Sequence, residues 1–232
     1  MICYRPWKTT SALSFDLDDT LYSNGDVIRN AQSWLMGELK NQCREVAHWG
    51  NSDWAGLRRQ TLLEQPHLRQ DVTELRRQWL LKGLNQHGVV NAKAYVEHLL
   101  DGFIVQRSQV SIADEVLELL EHLQKKYRLI AITNGNIDCK IAGLDGFFET
   151  VIQAGSGIAA KPQSQPFEIA SQALGLSAQD ITHIGDHPYY DVLGAINAGY
   201  QAIWLDNGDR RQKIRCLPHL HIHSILDLSK LL

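Results

Sequence analysis

Cysteine is scarce: Cys3, Cys43, Cys139 and Cys216 are scattered through 232 residues with no C-x-x-C pair. That spacing excludes a cysteine-built zinc site and a disulfide framework, and leaves four thiols. Neither sign of charge predominates, since 23 Lys and Arg stand against 26 Asp and Glu, for a formal charge of −3 and an isoelectric point near 6.4. No broad positive field is on offer to nucleic acid or an anionic membrane, so neither is expected as a partner. Long apolar runs are absent as well. Met1–Thr10 carries Arg5 and Lys8 without an apolar stretch of signal-peptide length, and no later segment approaches a membrane span, so a cytoplasmic location is expected. Nor is there low-complexity sequence; 44% hydrophobic and 21% charged residues suit a packed chain. The length allows one good core with a smaller accessory domain.

What the chain does contain is an alternation of strand and helix signals with one long helical interruption. Ser11–Asp16 reads as a short buried strand ending in acids. From about Asp26 to Gln106 the β-branched runs vanish, and Leu, Gln, Glu, Arg and Trp recur at helical spacing. Asp71–Gln86 shows the pattern, with Val72, Leu75, Trp79 and Leu80 three or four apart. Gly50-Asn51-Ser52 and Gly88 to Asn91 are the expected breaks. An amphipathic helix follows at Ala113–Lys126, then an apolar strand Leu129–Ile132 that stops at Thr133-Asn134-Gly135. Further on come a helix Gln165–Leu174, Ser177 as N-cap of a short turn, a strand Ile181–Ile184, a helix Val192–Ala198 and a strand Gln201–Leu205. Strands separated by such helices imply a doubly wound α/β domain with a parallel sheet. The expected organisation is an α/β core from residues 1–22 and 108–232, with an all-helical insertion of about four helices over 23–107.

In such sheets ligands bind beyond the carboxyl ends of the strands, and the polar clusters of this chain follow its apolar runs. Asp16-Leu17-Asp18-Asp19-Thr20 comes first, with two carboxylates able to face one site if the backbone bends after the strand. A nucleophilic carboxylate needs a cation and a proton donor beside it, and Asp18 is placed for the second task. Thr133 and Asn134 offer a hydroxyl and backbone amides suited to phosphate oxygens. Lys161, in a stretch with Gly155 and Gly157, can hold a phosphoryl group as a point charge. Asp186 and Asp191 follow the run Ile181–Ile184 and supply hard oxygen ligands for Mg²⁺. Each cluster alone is also consistent with a solvated turn or loop.

Together and in this order they resemble the motifs of the haloacid dehalogenase-like hydrolase superfamily: D-x-D-x-T as Asp16, Asp18 and Thr20; Thr133-Asn134; Lys161; and Gly185-Asp186 with Asp191. The resemblance runs from Ala12 to about Leu205. It implies a Rossmann-like core with a helical cap of the C1 type that closes over the site and excludes water. It also implies a phosphatase in which Asp16 is the nucleophile and Asp18 the general acid and base. Mg²⁺ would be held by Asp16, the Asp18 backbone carbonyl and Asp186, with Asp191 as a ligand or as the holder of its waters and of Lys161. Asp16, Leu17, Thr133, Asn134 and Lys161 would surround the phosphate. His187 departs from the family pattern, standing where relatives more often carry a small or acidic residue, which bears on metal affinity and not on the nucleophile.

Within the superfamily, Ser14 to Tyr22, the tetrad Thr133-Asn134-Gly135-Asn136 and the cap length are similar to bacterial phosphatases of flavin mononucleotide and of 5-amino-6-(5-phospho-D-ribitylamino)uracil. A small phosphorylated metabolite is the expected partner of a monomer or weak homodimer. Of six tryptophans the insertion holds Trp34, Trp49, Trp54 and Trp79; Trp34, Trp54 and Trp79 are candidates to stack on a substrate ring, against the plainer reading that they pack helices together. Competing readings are a sugar-phosphate or nucleotide phosphatase, a phosphomutase, a dehalogenase, which would not need Asp18, and a phosphonate hydrolase, for which Lys40, Lys82 or Lys93 would have to form a Schiff base. An inactive phospho-ligand-binding module is the reading from another class. His219-Leu220-His221-Ile222-His223 alternates as a strand would, placing three histidines on one face with no acidic or cysteine partner adjacent in sequence. Ser224–Leu232 reads as a terminal helix capped by Ser224 and Asp227, with Ile225, Leu226 and Leu228 turned inward.

Overall fold

The structure, a computed structural model, describes residues 1–208 and 216–232. Along the chain the elements are β1 (Ile2–Cys3), β2 (Ala12–Phe15), α1 (Gly25–Gln42), α2 (Asn51–Glu64), α3 (Val72–Gln86), α4 (Ala92–Arg107), α5 (Asp114–Gln124) and β3 (Arg128–Thr133). There follow β4 (Val151–Gln153), α6 (Gln165–Leu174), β5 (Ile181–Gly185), α7 (Gly194–Asn197), β6 (Gln201–Leu205), β7 (Leu220–Ile222) and a terminal 3₁₀ helix, Ile225–Leu231. They divide into two compact units, one of residues 1–24, 111–135 and 143–232, the other of 25–110 and 136–142.

In the first unit the short apolar runs build a seven-stranded sheet in the order β1-β7-β6-β5-β2-β3-β4. Every pairing is parallel except β1 with β7. The strands at its centre are buried on both faces and therefore read as continuous apolar runs. All four residues of β2 are buried. Parallel register aligns the strand ends: Phe15 lies opposite Ala131 of β3 and Ile184 of β5, so Asp16, Thr133 and Asp186 leave the sheet at one edge. Ile130, Ile132, Ile181 and Ala202 pack with Phe167, Ala170 and Leu174 of α6. This is the doubly wound α/β core that the alternation of elements implies.

Several local expectations change. β1 was not expected; its two residues gain strand character only by pairing with β7. Val192–Ala198 is not one α-helix, because the segment opens as a π-helix over Pro188–Leu193 and becomes α7 only at Gly194. Ser177 precedes a 3₁₀ turn without a side-chain capping bond. The terminal helix is 3₁₀ rather than α, so a period of three buries Ile225, Leu228 and Leu231 and leaves Leu226 exposed. Ser224 accepts from the Leu226 amide, while Asp227 pairs with Lys230.

The second unit is a bundle of α1 to α4 with 3₁₀ turns at Arg44–Val46 and Pro66–Gln70. Asp71 accepts hydrogen bonds from the Thr73 and Glu74 amides, capping α3. Leu35, Leu39, Trp54, Leu57, Trp79, Leu80, Val96, Leu99 and Phe103 form its apolar centre. The segment 136–142 joins this unit, away from its sequence neighbours. Arg107 Nε donates to Asn136 Oδ1 at 3.0 Å, Asn136 Nδ2 to Thr73 Oγ1 at 2.9 Å, and the Asp138 amide to Ser108 Oγ at 2.8 Å.

Candidate active site

β2 ends at Phe15 and the chain turns at once. The Leu21 amide donates to Leu17 O at 3.0 Å, and Asp19 adopts the left-handed φ of 56°. The turn keeps Asp16 buried while Asp18 reaches the margin of the unit, where its Oδ1 accepts from Tyr22 Oη at 2.7 Å. Thr20 Oγ1 contacts Asp16 Oδ2 at 3.3 Å.

Lys161 is the hub. Its ammonium donates at 2.6 Å to each of Asp16 Oδ1, Asp191 Oδ1 and the Ile132 carbonyl, and the side chain is 1% exposed. A single flexible lysine holds such a position only if its backbone is fixed. Asn134 does this reciprocally, Oδ1 accepting from the Lys161 amide at 2.8 Å and Nδ2 donating to the Lys161 carbonyl at 3.0 Å. Thr133 Oγ1 accepts from the Gly135 amide at 2.9 Å, which folds the turn after β3.

The fourth cluster is set by Gly185. A Cβ there would meet Asp191 Cγ at 2.3 Å, so only glycine lets the aspartate approach the end of β5. Asp191 Oδ2 in turn accepts from the His187 amide at 2.9 Å. The carbonyl of Asp186 accepts from Trp204 Nε1 at 2.8 Å, and its Oδ2 from Asn207 Nδ2 at 3.0 Å. His187 caps the following turn, its Nδ1 accepting from the Tyr189 and Tyr190 amides at 3.1 and 3.2 Å.

Beneath these groups lies a pair that sequence reasoning missed. His183, buried in β5, shares a 2.6 Å hydrogen bond with Ser14 Oγ of the neighbouring strand and lies 3.1 Å from Asp191 Oδ1. A histidine inside an apolar run was the available signal, because a buried imidazole needs partners. Asn207 and Trp204 were missed too, since neither lies in a motif.

Electrostatics follow from burial. Desolvation, helped by Asp191 and Asp18, raises the Asp16 carboxyl well above the usual carboxylate range in spite of Lys161. Burial alone would lower the Lys161 ammonium, but Asp16 and Asp191 hold it above its ordinary value. Burial also opposes ionisation of Asp191, and there Lys161 prevails and keeps the carboxyl below the usual range. His183 is pushed down by desolvation and is neutral at pH 7. Ligand oxygens of Asp16, Asp186 and Asp191 lie within 4.8 Å of one another. Three carboxylates thus face one ammonium, leaving negative charge that a divalent cation would balance, and the hard oxygen donors suit Mg²⁺.

The structure therefore gathers Asp16, Lys161, Asp186 and Asp191 at one sheet edge, with Asp18, Thr133 and Asn134 on the adjoining turns. Of the tryptophans named as candidates to stack on a substrate ring, Trp54 and Trp79 are buried in the helical unit and Trp34 is half-buried. Trp54 and Trp79 are each 3% exposed; Trp54 packs tilted against Trp79 and edge to face against Trp49. Trp34 lies so close over Gly102 that a Cβ there would be 2.0 Å from its ring. Each of these indoles takes part in helix packing. Among the described residues, no helix is long and apolar enough to cross a membrane.

Comparison with known proteins agrees with this geometry. Residues 10–199 match the haloacid dehalogenase-like hydrolase family. The 5-amino-6-(5-phospho-D-ribitylamino)uracil phosphatase YigB of Escherichia coli (strain K12) is 34% identical over 99% of this chain and 99% of its own. The phosphoglycolate phosphatase of Caulobacter vibrioides (strain ATCC 19089 / CIP 103742 / CB 15) is 33% identical, covering 60% of this chain and 62% of its own. Among solved structures, a 2-haloacid dehalogenase from Pseudomonas syringae pv. Tomato DC3000 superposes with a TM-score of 0.89 at 31% identity, over 96% of this chain and 98% of that one. The chain is an enzyme, and it belongs to the haloacid dehalogenase-like hydrolase family.

Proposed function

We propose that this chain is a Mg²⁺-dependent phosphatase that hydrolyses a small phosphate monoester through an aspartyl-phosphate on Asp16. The observation that carries the reading is the buried Lys161 ammonium, 2.6 Å from both Asp16 and Asp191, at the strand end where Asp18 follows the nucleophile by two residues. Asp16 attacks phosphorus, and Lys161 balances charge on the transferring group and on the nucleophile. Asp18, steadied by Tyr22, gives its proton to the leaving alkoxide and then takes one from the water that attacks the aspartyl-phosphate at phosphorus. Thr133 and the Asn134 amide bind phosphoryl oxygens beside Lys161. Asp191, fixed by the His187 amide and backed by His183 and Ser14, positions Lys161. Asp16, Asp186 and the Asp18 carbonyl would hold Mg²⁺, which would supply the charge that lets an anionic nucleophile approach an anionic phosphate.

For the substrate, 5-amino-6-(5-phospho-D-ribitylamino)uracil or flavin mononucleotide is favoured by the end-to-end likeness to the Escherichia coli phosphatase. The name of the solved Pseudomonas structure favours a second reading, removal of halide from a 2-haloacid. A halide leaves without a proton, so Asp18 would have no task in that reaction, whereas a departing alkoxide needs one. One assay separates the two. Purified protein is given Mg²⁺ and a panel of phosphate esters that includes both flavin-related compounds, and in parallel 2-chloropropionate, with phosphate and chloride release measured. We expect phosphate release that both EDTA and Asp16→Asn abolish, and no chloride. Chloride release without phosphate release would overturn the phosphatase reading; preference for hexose phosphates would overturn only the substrate.

A further inference from the structure

The first unit brings together a second set of ligating side chains, at the opposite flank of the sheet from β3 and β4. β6 and β7 run parallel with Trp204 opposite His221 and Leu205 opposite Ile222, so the residue that follows β6, Asp206, comes level with His223. The backbone confirms the register, the Asp206 amide donating to Ile222 O at 2.9 Å. His221 in β7 and His223, one residue past its end, present their rings to the same side. Their ring centroids are 4.5 Å apart. Asp206 Oδ2 lies 3.4 Å from His221 Nε2 and 3.9 Å from His223 Nδ1, and one donor atom from each residue falls within 4.8 Å of the others. The acid missing from the sequence pattern is thus supplied by the neighbouring strand. His219 is not part of the set, because its Nδ1 accepts from the Ala202 amide at 3.1 Å.

An independent observation marks this set as a site. His221 is 6% exposed, yet neither of its ring nitrogens has a hydrogen-bond partner among the described residues, since the Asp206 contact has the distance of an ion pair without hydrogen-bond geometry. A buried imidazole without partners costs folding free energy unless something else satisfies it. The ring is also locked in orientation, stacked on Trp204 at 4.5 Å and 19° with Tyr4 on its flank at 6.1 Å and 18°. Two ligand atoms bound to one tetrahedral ion at 2.0–2.1 Å stand about 3.4 Å apart, close to the spacing of Asp206 from His221. Two imidazoles and one carboxylate are the ligands of a borderline transition ion and not of Mg²⁺, which prefers oxygen alone.

We propose that Asp206, His221 and His223 form a second metal site, for a divalent first-row transition ion such as Zn²⁺, with its remaining position open to water. The site is separate from the carboxylate cluster but adjoins it through two contacts. Trp204, which stacks on His221, donates to the Asp186 carbonyl, and Asn207, next to Asp206, donates to Asp186 Oδ2.

The test is Zn²⁺ binding by isothermal titration to protein free of any histidine tag, in excess Mg²⁺ to fill the carboxylate cluster. The wild type and Asp16→Asn should each bind one Zn²⁺. His223→Ala, at a side chain 63% exposed and therefore safe for the fold, and Asp206→Asn should each weaken binding at least by the order of 10–100-fold that loss of even an outer partner costs. Titration of Co²⁺ should give visible absorption bands that the same two variants lose. Absence of Zn²⁺ binding by the wild type, or wild-type affinity in both variants, would overturn the proposal. The readout is metal bound and not turnover, so this result and the result for phosphatase activity can fail separately.

Discussion

Lys161 in the sheet unit and Arg76 in the helical unit are both withdrawn from water, and they are treated in opposite ways. In the sheet unit Lys161 is enclosed by two carboxylates and a carbonyl at 2.6 Å, and its pKa is held above the ordinary value. In the helical unit Arg76 lies over the Phe103 ring at 3.6 Å, and its buried Nε and Nη1 have no hydrogen-bond partner among the described residues. Burial, with Arg58 and Arg107 near, pulls Arg76 down to about 9. A charge taken out of water is kept at full cost only where partners compensate it. The contrast teaches where chemistry resides: strand ends collect complementary charges, whereas the helices spend their distinctive side chains on packing.

The strongest way to break this comparison is to remove the compensated cation. Lys161→Met should reduce turnover on the order of 10²–10³-fold. It should also destabilise the fold by about 3–5 kcal/mol, because Asp16 and Asp191 are left buried without their cation; steady-state kinetics and urea unfolding check both. Next in size is a packing change in the other unit. Gly102→Ala places a Cβ 2.0 Å from the Trp34 ring and Gly83→Ala one 2.3 Å from Trp54. Each should cost about 1–3 kcal/mol in urea unfolding, with Zn²⁺ and Mg²⁺ binding unchanged. The uncompensated cation should behave oppositely to Lys161, so Arg76→Met should be neutral or stabilising by about 1 kcal/mol. The smallest effect concerns pH. Burial pushes His183, His219 and His221 below the usual histidine value. Below about pH 6.5 the unfolded chain binds protons that these folded histidines refuse, so stability falls as pH falls. Urea midpoints from pH 7.5 to 5 should show the decline, and His183→Asn should flatten it.

Much of the site was legible because its residues carry chemistry that an apolar run cannot hide. Asp16, Thr133 and Asp186 each stand at the end of such a run, and parallel pairing converts that linear pattern into one edge. Lys161 was legible by type and loop position, but the Asn134 clamp on its backbone depends on a tertiary approach across 27 positions. Ser14 and His183 were hidden inside strands, where periodicity reports burial and not partnership. Of the three-histidine alternation only Leu220–Ile222 forms a strand, and Asp206 became its neighbour only through the β6–β7 register. The tryptophans are ambiguous in sequence because ring chemistry suits both stacking on a ligand and filling a bundle; Gly83 and Gly102, small residues beneath the indoles, are the sequence clue to packing. β1 and the 3₁₀ character of the C-terminal segment were illegible, since both arise from docking on the sheet.

The central claim is that Asp16 receives the phosphoryl group. Acid-quenching the enzyme during turnover of a phosphate ester with Mg²⁺, followed by peptide mass spectrometry, tests it most directly. The account predicts one added phosphoryl group on the peptide that contains Asp16, absent from Asp16→Asn, which also releases no phosphate. Phosphate release that persists in Asp16→Asn, or a phosphoryl group trapped on a different residue, would contradict it.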